Sequence, residues 1–186
     1  MNSNNNAVET SQKIIEESLK KVGVEEGDII LVHSDGSPAM HLGDFEWWED
    51  ALDFLKQCFL NVLGKDGTLF VPTFNYDFGK GKPYSHEKSP SQVGMFSNNI
   101  LFDQRSIRSF HPIFSFAGIG RDAKEICNHV SKSAFGEGSV FHKLHQMNAK
   151  IVFFNVGFRV CTFLHYVEQC KGVEYRFLKT FNGQVN

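Results

Sequence analysis

The chain has 186 residues, 41% hydrophobic and 22% charged, the make-up of one globular domain with room for a sizeable core. A formal net charge of -2, with no cluster of five or more basic residues, removes the broad electrostatic reason to bind nucleic acid or an anionic membrane. The longest apolar runs, around 29–32 and 151–154, are too short to span a bilayer, and the cysteines Cys58, Cys127, Cys161 and Cys170 have no Cys-x-x-Cys spacing. The expectation is a cytoplasmic protein with reduced thiols.

In chain order, residues 1–7 are Asn-rich, lack a signal peptide's apolar stretch and read as a disordered tail, leaving 8–186 as one domain. Ile14, Ile15, Leu19 and Val22 carry an amphipathic helical spacing over 8–22. Residues 29–32 read as a buried strand, and His33-Ser34-Asp35-Gly36-Ser37 as the loop leaving it. Trp48, Ala51, Leu52, Leu55, Phe59 and Val62 fall at helical intervals up to Gly64, and residues 67–73 form a second strand. This strand, helix, strand order implies parallel strands with a right-handed crossover. Residues 75–92, with Gly79, Gly81, Pro83 and Pro90, read as a long surface loop of the kind that serves as a lid. Beyond it, 93–101 predicts a short helix, 114–118 a strand, 122–130 and 140–146 helices, and 150–156 a strand. The class is α/β, with antiparallel edge strands allowed near Phe114.

The chemistry concentrates near the end. In Thr162-Phe163-Leu164-His165-Tyr166-Val167-Glu168, a helix starting near Thr162 puts His165 and Glu168 on one face, so the carboxylate can orient and support an imidazole acting as a general base. By itself this pair is more often structural than catalytic. Arg105 and Arg108-Ser109-Phe110-His111-Pro112 offer guanidiniums, a hydroxyl and an imidazole to a phosphate or carboxylate, with a structural arginine loop at even odds. The 33–37 loop could bring backbone amides up to an anion or an amide. Gly136-Glu137-Gly138-Ser139 reads chiefly as a helix-start turn capped by Ser139. No nucleotide-binding glycine motif, Gly-x-Ser-x-Gly elbow or zinc spacing is present. His142 and His145 alone make a poor metal site, and Cys161 reads as core.

Five of these stretches occur in family order: 27–34 (GDIILVHS), 67–74 (GTLFVPTF), 108–112 (RSFHP), 135–139 (FGEGS) and 162–168 (TFLHYVE). Together they resemble the aminoglycoside 3-N-acetyltransferase family from about residue 8 onward. The resemblance implies a three-layer α/β/α fold with a mostly parallel mixed sheet, distinct from the commoner acetyltransferase fold, and acetyl transfer from acetyl-coenzyme A to an amine without a metal. It matches His165 to the catalytic histidine and Glu168 to its carboxylate. His33, Ser34, Asp35, Gly36 and Ser37 match the coenzyme-contacting loop, and Thr73, Arg108, Ser109 and Phe110 fall near the coenzyme. Thr73 and Thr162 are the hydroxyl candidates for holding the oxyanion. The acceptor implied is an aminoglycoside or, as in relatives of polysaccharide gene clusters, an amino sugar. Asp77, Glu87 and Glu174 are candidate acids for a cationic substrate.

Two departures qualify the match. Asp35 and Gly36 stand where the family has a serine and a leucine, and an acid there would repel phosphate. The chain also stops soon after the Tyr175-Arg176-Phe177 segment, where members continue, so the expectation is a shortened member whose open sheet edge favours homodimers. A coenzyme-binding relative without turnover is the alternative.

Overall fold

The computed structural model describes residues 2–186, with side-chain surroundings from Val8 onward. Helix α1, Asn2–Lys21, takes in the Asn-rich start that composition assigned to a tail, and Ile15 and Leu19 are buried on its inner face. Strand β1 is Ile29–Ser34, helix α2 Trp48–Leu63 and strand β2 Thr68–Pro72. Gly64 ends α2 at φ 64°, a conformation that costs glycine little, and its N–H bonds back to the Leu60 carbonyl. Helix α3 is Met95–Leu101, β3 Ile107–Arg108, β4 Phe116–Gly120, α4 Ala123–Cys127, α5 Val140–Gln146, β5 Lys150–Phe154 and α6 Phe163–Lys171.

Among the described residues the strands form one five-stranded sheet in the order β3-β4-β2-β1-β5. β1 pairs in parallel with β2 and β5, whereas β4 runs antiparallel to β2 and to β3, so all but β4 share one direction. The pleat sends alternate residues to opposite faces. Ile30, Val32, Leu69 and Val71 pack with α1, α2 and α3, while Ile29, Leu31 and Phe70 pack with α4, α5 and Tyr166 of α6. The fold is therefore the expected three-layer α/β/α arrangement around a mostly parallel sheet. Gly118 lies opposite Phe70 in the β2–β4 register, and a Cβ there would collide with the Phe70 ring.

Several boundaries move for local reasons. The strand expected from Phe114 begins at Phe116, and the two-residue edge strand β3 was too short to show a period. The helix expected to reach Val130 stops at Cys127, where Asn128 is extended and His129 takes φ 51°. β5 ends at Phe154 because Asn155 is left-handed, φ 53°, a conformation asparagine tolerates. The 75–92 loop is not a free flap: Phe78 and Tyr84 are buried within it, and Tyr84 N donates to the Gln184 carbonyl.

Candidate functional site

A cavity of about 520 Å³ opens where β1, β2 and β5 end, lined among others by His33, Ser34, Pro72, Phe74, Tyr76, Val156, Cys161, Thr162, His165 and Glu168. All three parallel strands present their carboxyl ends here, the position at which α/β sheets place ligands. The walls are mostly apolar, with a few polar groups converging, the usual composition of a small-molecule site.

His165 reaches the cavity from the first turn of α6. Its N–H bonds to the Thr162 carbonyl at 3.0 Å, and its side chain remains 48% exposed. Nδ1 lies 3.1 Å from Glu168 Oε2, the expected neighbour one helical turn on. Two further groups fasten that carboxylate: Tyr175 OH donates to Oε1 at 3.0 Å, and Arg176 Nη1 donates to Oε2. The His165 contact first, then Arg176, holds the Glu168 carboxyl down at about 2, so it is a fixed anion at neutral pH. Arg176 Nη1 also lies 2.7 Å from His165 Nδ1. Its guanidinium sits over the Phe135 ring, which packs edge-on to the imidazole. Nothing in the spacing of Tyr175 and Arg176 marked them, because they lie beyond α6 and return only through the fold.

The first loop divides. His33 is 4% exposed, stacks on Phe153, and has an Nε2 without a hydrogen-bond partner among the described residues. Burial lowers its pKa to about 4, so the ring is neutral at physiological pH. Ser34 joins it in the cavity wall. Asp35, Gly36 and Ser37 do not line the cavity. Asp35 Oδ1 accepts the Ser37 N–H at 3.0 Å, a bond that also lowers the pKa of this exposed carboxyl, and Oδ2 accepts from Asn155. Gly36 is buried, and a Cβ there would meet Leu52 Cδ2 at 2.9 Å, which a shift of that leucine tip would relieve.

Thr73, Arg108, Ser109 and Phe110 are placed elsewhere. The Thr73 hydroxyl is buried against Ser115 Oγ at 2.9 Å. Arg108 spends its donors within the chain, with Nε on Ser115 Oγ, Nη1 on the His86 and Ser89 carbonyls and Nη2 on the Thr73 carbonyl. Desolvation of this guanidinium lowers its pKa. It lies 5.1 Å from the centroid of the buried Tyr84 ring. This arginine straps the 75–92 loop to β2, and its geometry favours the structural half of the even odds. Ser109 Oγ accepts the Phe116 N–H, His111 Nδ1 accepts the Ile113 and Phe114 N–H groups, and Phe110 is exposed beside His86.

Other candidates resolve similarly. Ser139 caps α5 by accepting the His142 N–H, as expected. His142 Nδ1 accepts the Gly138 N–H, and His145 meets Tyr166 OH at 2.9 Å. Among the described residues no group of three His, Cys, Asp or Glu side chains could hold a metal. None of the described helices is long and apolar enough to cross a membrane. A larger groove of about 720 Å³ between α2 and α3 has no imidazole, and Lys56 and Arg105 are paired there with Asp53 and Asp103.

The family model for aminoglycoside 3-N-acetyltransferase matches residues 31–185. The SPbeta prophage-derived aminoglycoside N(3')-acetyltransferase-like protein YokD of Bacillus subtilis (strain 168) is 22% identical over 181 residues, covering 85% of this chain and 64% of its own length. Aminoglycoside N(3)-acetyltransferase IV of Salmonella sp is 27% identical over 161 residues, covering 84% and 58%. A solved structure described as AAC-IIIb binary with CoASH superposes with a TM-score of 0.74 at 20% identity, covering 85% of this chain and 64% of that one. The chain thus spans less than two thirds of the length of the curated relatives it matches.

Proposed function

Because the chain belongs to the aminoglycoside 3-N-acetyltransferase family, we propose that it transfers an acetyl group from acetyl-coenzyme A to an amino group of an aminoglycoside, with His165 as general base and Glu168 as its support. The observation that carries this reading is the His165–Glu168 pair opening onto the cavity at the strand ends. A neutral amine attacks the thioester carbon, the new N–C bond forms as the carbonyl becomes an oxyanion, and His165 takes the ammonium proton. Collapse of the oxyanion breaks the C–S bond, and the proton returns from His165 to the leaving thiolate. Of the two threonine candidates for the oxyanion, Thr162 lines the cavity, its hydroxyl donating to the Val160 carbonyl at 3.4 Å, whereas Thr73 is engaged against Ser115.

The cavity suits the acyl donor. Its apolar walls and the neutral His33 fit a pantetheine arm, and Arg159, also in the lining, is a cation that could meet a phosphate. An amino-sugar acceptor is the second reading, favoured because Glu168 is the one carboxylate in this lining and is already paired. Among the described residues, Asp77, Glu87 and Glu174, the acids expected to meet a polycation, lie outside this lining.

The test is thiol release from acetyl-coenzyme A with a panel of aminoglycosides and nucleotide-linked amino sugars, beside calorimetry of coenzyme binding. His165→Ala is expected to bind coenzyme A normally and to lose about two or more orders of magnitude in turnover. Near-normal turnover in that variant removes His165 from the mechanism. Coenzyme binding with no amine acetylated favours the non-catalytic relative.

A further inference from the structure

His165 Nδ1 has two neighbours that make opposite demands on it. Glu168 Oε2 at 3.1 Å can only accept a hydrogen bond, and Arg176 Nη1 at 2.7 Å can only donate one. A neutral imidazole nitrogen carries either a proton or a lone pair, so Nδ1 serves one of them at a time. The distances favour the arginine. A 2.7 Å approach between two nitrogens requires a proton between them, and Nη1 has two hydrogens, one for Glu168 Oε2 and one for Nδ1. Nδ1 is then bare and the ring proton sits on Nε2; the hydrogen bond from His165 that lowers the Glu168 pKa belongs to the other tautomer, and in this one Arg176 and Tyr175 hold the carboxylate. A ring protonated on Nε2 cannot accept a proton there.

Resting on the general-base reading of His165, we propose that Arg176 is a positioning residue that selects the tautomer of His165: its guanidinium keeps the ring proton on Nε2, and turning it away lets Nδ1–H donate to Glu168 and frees Nε2 as the base. The surroundings suit such an exchange. Arg176 follows the end of α6 in a segment without regular secondary structure, tied locally by its N–H to the Val173 carbonyl. Its guanidinium is 5.4 Å from the centroid of the Phe135 ring, and the side chain is 26% exposed at the surface of the fold. Glu168 would stay in register when it leaves, because Tyr175 OH holds Oε1. An ammonium group of an arriving substrate would compete with Arg176 for the same carboxylate, coupling occupancy to release of the base.

The readout is the imidazole nitrogens of the uniformly 15N-labelled full chain, by two-bond proton–nitrogen correlation at pH 8.5. The free protein is expected to show a bare Nδ1 and a protonated Nε2 on His165. Arg176→Met is expected to exchange them, and Arg176→Lys, which keeps a donor, to resemble the parent. A protonated Nδ1 in the parent, a doubly protonated ring, or an Arg176→Met variant that keeps Nδ1 bare would overturn the proposal. The parent spectrum decides even if the methionine variant folds poorly. Failure of the acetyl-transfer reading itself would show separately, as absence of product in the thiol-release assay.

Discussion

Replacing Arg108 with methionine separates a structural strap from a phosphate contact. The guanidinium makes four hydrogen bonds, at 3.1, 2.9, 2.7 and 3.2 Å, to Ser115 Oγ, the His86 and Ser89 carbonyls and the Thr73 carbonyl. Hydrogen bonds to a charged group contribute about 1.5–3 kcal/mol each, so a naive sum is roughly 6–12 kcal/mol. That sum overshoots. Ser115 Oγ and the Thr73 carbonyl still bond to one another at 2.8 Å, and the two loop carbonyls can be rehydrated once the strap is gone. The two sheet-side bonds at the low end, with about 1 kcal/mol from the Tyr84 ring, leave a loss of about 4 kcal/mol. For a chain of this size that corresponds to a fall in Tm of about 8–16 °C by calorimetry. Hydrogen exchange should accelerate first in residues 75–92. If Tm and exchange are unchanged while the coenzyme dissociation constant rises, Arg108 is a ligand residue and the strap is wrong.

Three other outcomes follow from the same physics. Gly118→Ala, which drives a Cβ into the Phe70 ring, should destabilise by about 1–3 kcal/mol in urea unfolding, and a neutral result would mean that β2 and β4 can part locally. His33, lowered from 6.5 to about 4, binds fewer protons folded than unfolded, so its neutral burial costs nothing above about pH 6.5 and increasingly destabilises the fold as pH drops toward 4. Between pH 7.5 and 4.5 the parent should lose roughly 2–3 kcal/mol more than His33→Gln, and equal losses would show that the ring accepts its proton inside the fold. Glu168, held at about 2, contributes stability that is complete above the unfolded carboxylate range and is lost as pH falls through about 2. A carboxyl NMR titration with a midpoint near the unperturbed value of about 4.3 would dissolve the His165–Glu168–Arg176 cluster.

The features legible in the sequence were those set by local periodicity. Phe59 and its helical partners, the β1–α2–β2 unit and Val140–Gln146 followed from repeating apolar spacing, and His165 with Glu168 followed from one turn of helix. Arg108 read equally well as anion ligand or structural group, because the carbonyls it binds come from residues 73, 86 and 89, a convergence that no spacing encodes. Thr73 was placed near the coenzyme by the family resemblance alone, yet its hydroxyl is buried against Ser115 Oγ at 2.9 Å. Arg176 escaped notice because its role depends on the chain doubling back after α6.

The two imidazoles of the cavity differ in a way that divides the work between them. His33 is enclosed and uncharged, so taking a proton there means placing an unpaired charge in an apolar wall, with no carboxylate in hydrogen-bond contact to stabilise it. Its Nε2 is buried without a hydrogen-bond partner among the described residues. His165 stands half exposed, with a carboxylate one helical turn away and the Arg176 guanidinium 2.7 Å from its Nδ1. On the general-base reading proposed above, proton transfer in the cavity falls to His165, while the neutral, enclosed His33 contributes shape to the wall. The same division explains why the apolar run 29–32 leads directly into the site: the strand that builds the centre of the sheet also delivers the buried ring to the mouth of the cavity.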